Sequence, residues 1–137
     1  MKKLLNTAFV YAVAAMAGGV FYREFTKWNG FTGVTALGKV HTHLFMLGMV
    51  MFLIAALFAQ RTNLMDVPRF RKFFIVYNIG VPLTAVMLII RGIPQVLNIP
   101  LTKGMDAAIS GCAGIGHILT GIGILLLLSA LQKTVQD

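Results

Sequence analysis

The sequence predicts an all-α fold, a four-helix bundle embedded in a membrane, and three observations predict it. The chain has 137 residues, of which 58% are hydrophobic and 12% charged, against the roughly 25% charged residues usual in soluble domains. Its mean hydropathy is +0.83. The apolar residues gather into four runs, each near the ~20 helical residues that cross a ~30 Å hydrocarbon core. Together these runs use most of the length, so residues 1–137 are expected to form a single transmembrane domain. The predicted helices cover about 4–22, 33–60, 72–93 and 105–131.

The first run follows Lys2 and Lys3 and contains Ala15-Met16-Ala17, which imitates a secretory signal. Its apolar stretch is longer than the ~7–15 residues of a signal core, so a retained helix is expected. Gly18-Gly19 near its end suggests close helix contact or loosening. Tyr22 and Trp28 are expected at the interface, and Asn29-Gly30 signals a turn. Thr32 is the expected cap of the second helix. A basic connection follows from Arg61 to Lys72. Pro82 lies inside the third run and is expected to kink it, because proline removes a backbone donor. Ile93-Pro94 and Ile99-Pro100 are expected to form an irregular connection before the fourth run.

The formal charge is +8. Nucleic acid is excluded as its reason, because the cations flank the apolar runs and form no stripe; lipid headgroups and topology account for them. With both termini cytoplasmic, the inner side holds Lys2, Lys3, Arg61, Arg69, Arg71, Lys72 and Lys133, seven cations. The outer side then holds five: Arg23, Lys27, Lys39, Arg91 and Lys103. That bias fits the positive-inside rule. Cys112 is alone and cannot form an intrachain disulfide.

All three histidines fall inside apolar runs: His41 and His43 in the second, His117 in the fourth. An ionisable side chain at membrane depth is costly and reads as functional. Neutral imidazole is the usual axial ligand of haem iron and a common ligand of other metals. His43 stands 17 residues before Gln60 and His117 stands 15 before Gln132. At ~1.5 Å per residue their depths differ by only ~3 Å, so the two rings can meet across the bundle. Residues i and i+2 are ~200° apart on a helix, so His41 and His43 do not readily share one metal. This favours one ligand beside one bystander, or two separate sites.

On a helix the neighbours of His117 are Ala113, Gly114, Thr120 and Gly121, all small. Such residues admit either a second helix or the face of a porphyrin. Arg91, at the outer end of the third run, is a candidate partner for haem propionates; headgroup anchoring is its other reading. Met46 and Met49 lie near the histidines and read either as apolar filler or as copper(I) ligands. Tyr11, Tyr77 and Asn78 are polar groups within the runs, suited to orienting a ligand or to bonding across helices. The candidate site residues are therefore His43, His117 and His41 as metal ligands, with Gly114, Gly121 and Arg91 around the cofactor.

The segment His41-Thr42-His43-Leu44-Phe45-Met46-Leu47-Gly48 resembles the histidine-x-histidine helix of haem–copper oxidase subunit I and its smaller relatives. Gly116-His117 looks like the element that supplies the opposing low-spin ligand. The resemblance implies a low-spin b-type haem between His43 and His117, with His41 left for a second haem or another role. The whole chain also resembles the uncharacterised small bacterial four-helix membrane proteins, which implies a bacterial cytoplasmic membrane. The oxidase pattern has further histidines for copper, and this chain has none left for them. No CxxCH is present, so covalent c-type haem is not expected.

The function expected from these residues is haem b binding in cytochrome-like electron transfer or haem handling, with a redox partner or quinol, the lipid bilayer and a homo-oligomer as candidate partners. The alternative is an oligomeric channel or transporter with a histidine-lined path for a metal or small molecule, copper or zinc among them. A third is an assembly subunit whose histidines only bond between helices. The acids Glu24, Asp66, Asp106 and Asp137 lie near run ends or in loops, so no acid pair or Ser-His-acid arrangement is expected. An enzyme built on this chain is expected only as a haem-dependent oxidoreductase.

Overall fold

The computed structural model describes residues 1–135. Four helices are long and apolar enough to cross a membrane, and no strand occurs among the described residues. They are α1 (Lys2–Trp28), α2 (Ala36–Arg61), α3 (Pro68–Leu97) and α4 (Lys103–Val135).

The helices overrun their predicted ends because polar residues beyond the apolar runs still complete helical turns. In α1 the Thr26 hydroxyl donates to the Tyr22 carbonyl at 2.8 Å, and the Asn29 amide to the Phe25 carbonyl at 2.8 Å. Gly30, at φ +60, ends the run, in a left-handed conformation that glycine adopts without cost. At the start of α2 the capping residue is Thr35, not Thr32: its side chain accepts from the Leu37 amide at 3.3 Å. Thr35 also donates to the Gly92 carbonyl at 3.0 Å, and Gln95 Oε1 accepts from the Ala36 amide at 2.7 Å. These bonds tie the 31–36 connection to the last turns of α3. Pro94 consequently lies inside α3, and the expected irregular connection shortens. Asn98, in the left-handed region at φ 53, terminates the helix. Helix α3 also runs on through Pro82.

Helix α2 is not uniform. A 3-10 turn (Ala36–Lys39) leads into an α turn (Val40–His43), then a π segment (Leu44–Val50), then regular α-helix (Met51–Arg61). Its inward residues Val40, Leu44, Gly48, Phe52 and Ala56 are spaced by four. In a pure α-helix of 3.6 residues per turn that spacing drifts by ~40° per step. The wider π turn slows the rotation and keeps all five on one face. Gly48 lies so close against the Tyr11 ring that no side chain fits there.

Helix α1 packs along α2, and α3 along α4, with α3 bridging the two pairs. Phe52 centres the core: Tyr11, Phe73 and Tyr77 lie within 5.7–5.9 Å of it, ring centre to ring centre. The α3–α4 seam is made of small residues. A Cβ on Gly80 would stand 2.6 Å from the Thr120 amide nitrogen, one on Gly116 2.7 Å from Thr84 Oγ1, and one on Gly123 2.6 Å from the Tyr77 ring. Such close backbone approach is how helices associate without a hydrophobic driving force.

Candidate cofactor site

His43 closes the α turn of α2, immediately before the π segment. Its Nδ1 lies 2.8 Å from the Lys39 carbonyl oxygen. His117, midway along α4, repeats the arrangement, with Nδ1 2.7 Å from the Ala113 carbonyl oxygen. A carbonyl oxygen only accepts, so each Nδ1–H is the donor; in the neutral ring Nε2 then carries a free lone pair. The two ring centroids are 6.4 Å apart and their planes cross at 86°. Helices α2 and α4 otherwise make little direct contact, since α3 lies between them.

His41 points the other way. Its ring stacks on Tyr22 of α1 at 6.4 Å and 15° and packs beside Gly19, whose Cβ would meet it at 3.6 Å. Its Nδ1 is buried and has no partner among the described residues. The near-opposite placement follows from the helical angle between i and i+2. His41 is thus separated from the His43–His117 pair by the body of its own helix.

Around His117 the glycines divide into two sets. Gly116 and Gly123 are consumed by the seam with α3, whereas a Cβ on Gly111, Gly114 or Gly121 would meet nothing within 4 Å. Gly114 and Gly121 therefore flank His117 on an open face. A cavity of 360 Å³ lies beside that face, lined by Thr84, Met87, Leu88, Arg91, Ser110, Ala113, Gly114 and His117. Gly121 lies one helical turn past His117, outside this lining.

Arg91 reaches the cavity from α3. Its Nη2 donates to Ser110 Oγ at 2.7 Å and to Asp106 Oδ1 at 3.0 Å. The guanidinium carries five N–H donors, so the other nitrogens retain donors for an anionic ligand group. Ser110 and Asp106 stand two to three turns from His117 towards the start of α4, which sets the cation ~10–16 Å from the imidazole level.

Several residues expected near a cofactor lie elsewhere. Met46 faces outward and is 60% exposed. The Tyr11 hydroxyl donates to Asn78 Oδ1 at 3.0 Å, a bond between α1 and α3, and the Tyr77 hydroxyl is buried without a partner among the described residues. None of these four residues lines the histidine cavity. Among the described residues, no group of three or more His, Cys, Asp or Glu side chains is placed to hold a metal ion; Cys112 is exposed on α4. Thr84, Met87 and Ser110 were not anticipated. Ser110 stands seven residues before His117, and that helical period was available as a signal. For Thr84 and Met87 no signal existed, because the register of α3 on α4 is set by packing.

Fold and site together define a bundle of four helices, each long and apolar enough to cross a membrane, with a pair of histidines brought together from two of them. The chain belongs to the family described as Protein of unknown function (DUF2871), which matches residues 1–134. No curated protein and no solved structure matches it.

Proposed function

We propose that this protein is a membrane-embedded b-type haem protein in which His43 and His117 are the two axial ligands of one iron, serving cytochrome-like electron transfer. The observation that carries the reading is the facing pair of imidazoles, each anchored through Nδ1 to a backbone carbonyl. Metal-ligating histidines almost always hold their second nitrogen in this way, which fixes the tautomer and ring orientation. Two imidazoles bound to opposite sides of one metal, each nitrogen ~2.0–2.1 Å from it, place their ring centroids roughly 6.3 Å apart. The separation here is 6.4 Å.

The surroundings suit the same group. The open flank along Gly114 and Gly121 leaves room for a broad planar ligand against α4, and Arg91 offers charge-assisted bonds to propionates. A bound haem would supply one-electron redox chemistry, and ligation by two histidines would leave its iron no open position. The protein's own residues orient the imidazoles through their Nδ1 bonds and set the Arg91 cation in the cavity lining. The likeness of the His41–Gly48 segment to haem–copper oxidase subunit I favours the same ligands. In this reading His41 is a bystander to the ligated iron, a quinol is a candidate electron partner, the cation bias favours cytoplasmic termini, and the resemblance to small bacterial four-helix proteins favours a bacterial inner membrane.

Haemin titrated into purified apo-protein in detergent tests the reading. One equivalent is expected to bind, and His43→Ala or His117→Ala to abolish tight binding. Saturation unaffected by either substitution, or no binding at all, contradicts it.

A further inference from the structure

A second concavity of 1110 Å³, sharing no lining residue with the histidine cavity, lies between α1 and α3, with Val40 and Leu44 of α2 as its floor. Along α1 it extends from Lys2 to Phe21, which is ~28 Å at 1.5 Å per residue, close to the ~30 Å hydrocarbon thickness. Its two walls differ sharply in chemistry from end to end. At one end stand Lys2, Lys3 and Asn6; from Ala14 to Phe21 the lining is entirely apolar, and no acidic side chain among the described residues lines the groove. Lys3 is held in place, its Nζ 4.2 Å from the centre of the Phe74 ring of α3, a cation–π contact across the mouth.

We propose that this groove is a binding site for a single anionic phospholipid, its phosphate against Lys2 and Lys3 and an acyl chain along the apolar wall. The charge selects the headgroup: two cations, with no acid among the described residues in the lining, attract an anionic lipid and give a neutral one no advantage. The apolar part of the lining runs lengthwise between α1 and α3, the direction an acyl chain takes in a bilayer. Small side chains keep the channel open, since Ala14 and Ala17 line it on α1. The site shares no residue with the histidine cavity and stands or falls independently of haem.

Native mass spectrometry of the protein purified in mild detergent tests the proposal, followed by titration of delipidated protein with phosphatidylglycerol or phosphatidylcholine. The protein is expected to retain one phospholipid and to prefer phosphatidylglycerol by roughly 10-fold or more. Ala14→Phe fills the groove and is expected to remove retention, with Val86→Phe filling it from the α3 wall as the second test should Ala14→Phe fold poorly. Lys2→Gln with Lys3→Gln is expected to keep a lipid but lose the headgroup preference, as molar salt should in the unaltered protein. Leu125→Phe, on an exposed face of α4, should change nothing. The proposal is overturned by an empty groove, by equal retention of both lipids, by retention that ignores both filling variants, or by an uncharged isoprenoid or a second copy of the chain in place of the lipid.

Discussion

His43 and His117, on helices that scarcely touch, present their rings to one another at 6.4 Å with planes crossing at 86°. Each ring is fixed by its own Nδ1 bond to the carbonyl four residues earlier. Those bonds turn both Nε2 atoms into acceptors, which is the state that metal ligation requires.

The crossing angle has a spectroscopic consequence. Perpendicular axial imidazoles leave the ferric d orbitals nearly degenerate, whereas parallel rings split them. Electron paramagnetic resonance of the oxidised haem-loaded protein should therefore show a highly anisotropic low-spin signal. A rhombic low-spin signal would mean that the rings rotate into parallel planes, and a high-spin signal would mean that one histidine is not a ligand.

Replacement of His41 should leave haem stoichiometry and spectrum unchanged, because its ring lies against Gly19 and Tyr22 on the far side of α2. Haemin titration of His41→Ala checks this. A halved haem content would instead assign a second haem to His41.

The glycines of the α3–α4 seam and those on the open face of α4 should respond differently to substitution. A methyl at Gly80 or Gly116 would intrude on backbone or hydroxyl atoms of the partner helix at 2.6–2.7 Å. Overpacking of this kind costs typically ~1–3 kcal/mol, so Gly80→Ala and Gly116→Ala should lower the melting temperature in detergent. Gly114→Ala meets open space and, alanine being the better helix former, should hold or raise stability, while Gly114→Leu should weaken haem binding without unfolding the protein. Equal melting temperatures for Gly116→Ala and Gly114→Ala would contradict the seam.

Arg91 is expected to contribute to haem affinity through a charge-assisted bond. Such bonds are worth ~1.5–3 kcal/mol, so Arg91→Ala should raise the haemin dissociation constant by roughly 10- to 100-fold. An unchanged constant would confine Arg91 to its bonds with Asp106 and Ser110, which join α3 to α4.

The two buried tyrosines give a test of sign. The Tyr11 hydroxyl is bonded to Asn78, whereas the Tyr77 hydroxyl is buried with no partner among the described residues. Losing a made bond costs ~0.5–1.5 kcal/mol, and removing an unsatisfied group relieves a desolvation penalty. Thermal melts should rank Tyr77→Phe at or above the unaltered protein and Tyr11→Phe below it.

The spans were legible because apolar runs separated by cations carry their own signature. So was the depth match of His43 with His117, which needs only a count of residues along two helices. The cap and the end of α3 were less legible. Thr35 outcompetes Thr32 because Gln95 and Gly92 on another helix hold it, a contact no local pattern reveals. Asn98, by contrast, was a readable signal, since asparagine tolerates the left-handed conformation that ends helices. The π segment was concealed, yet its trace lies in the four-residue spacing from Val40 to Ala56. The division of the glycines depends on which face of α4 meets α3, and the sequence carries no register between the two.

Ligation of one haem iron by His43 and His117 has an immediate optical readout, the dithionite-reduced minus oxidised absorption spectrum of the purified protein. Sharp b-type α, β and Soret bands are expected, unaltered by carbon monoxide and lost in both His43→Ala and His117→Ala. A preparation that stays colourless after haem addition, or bands that persist in both variants, would contradict it.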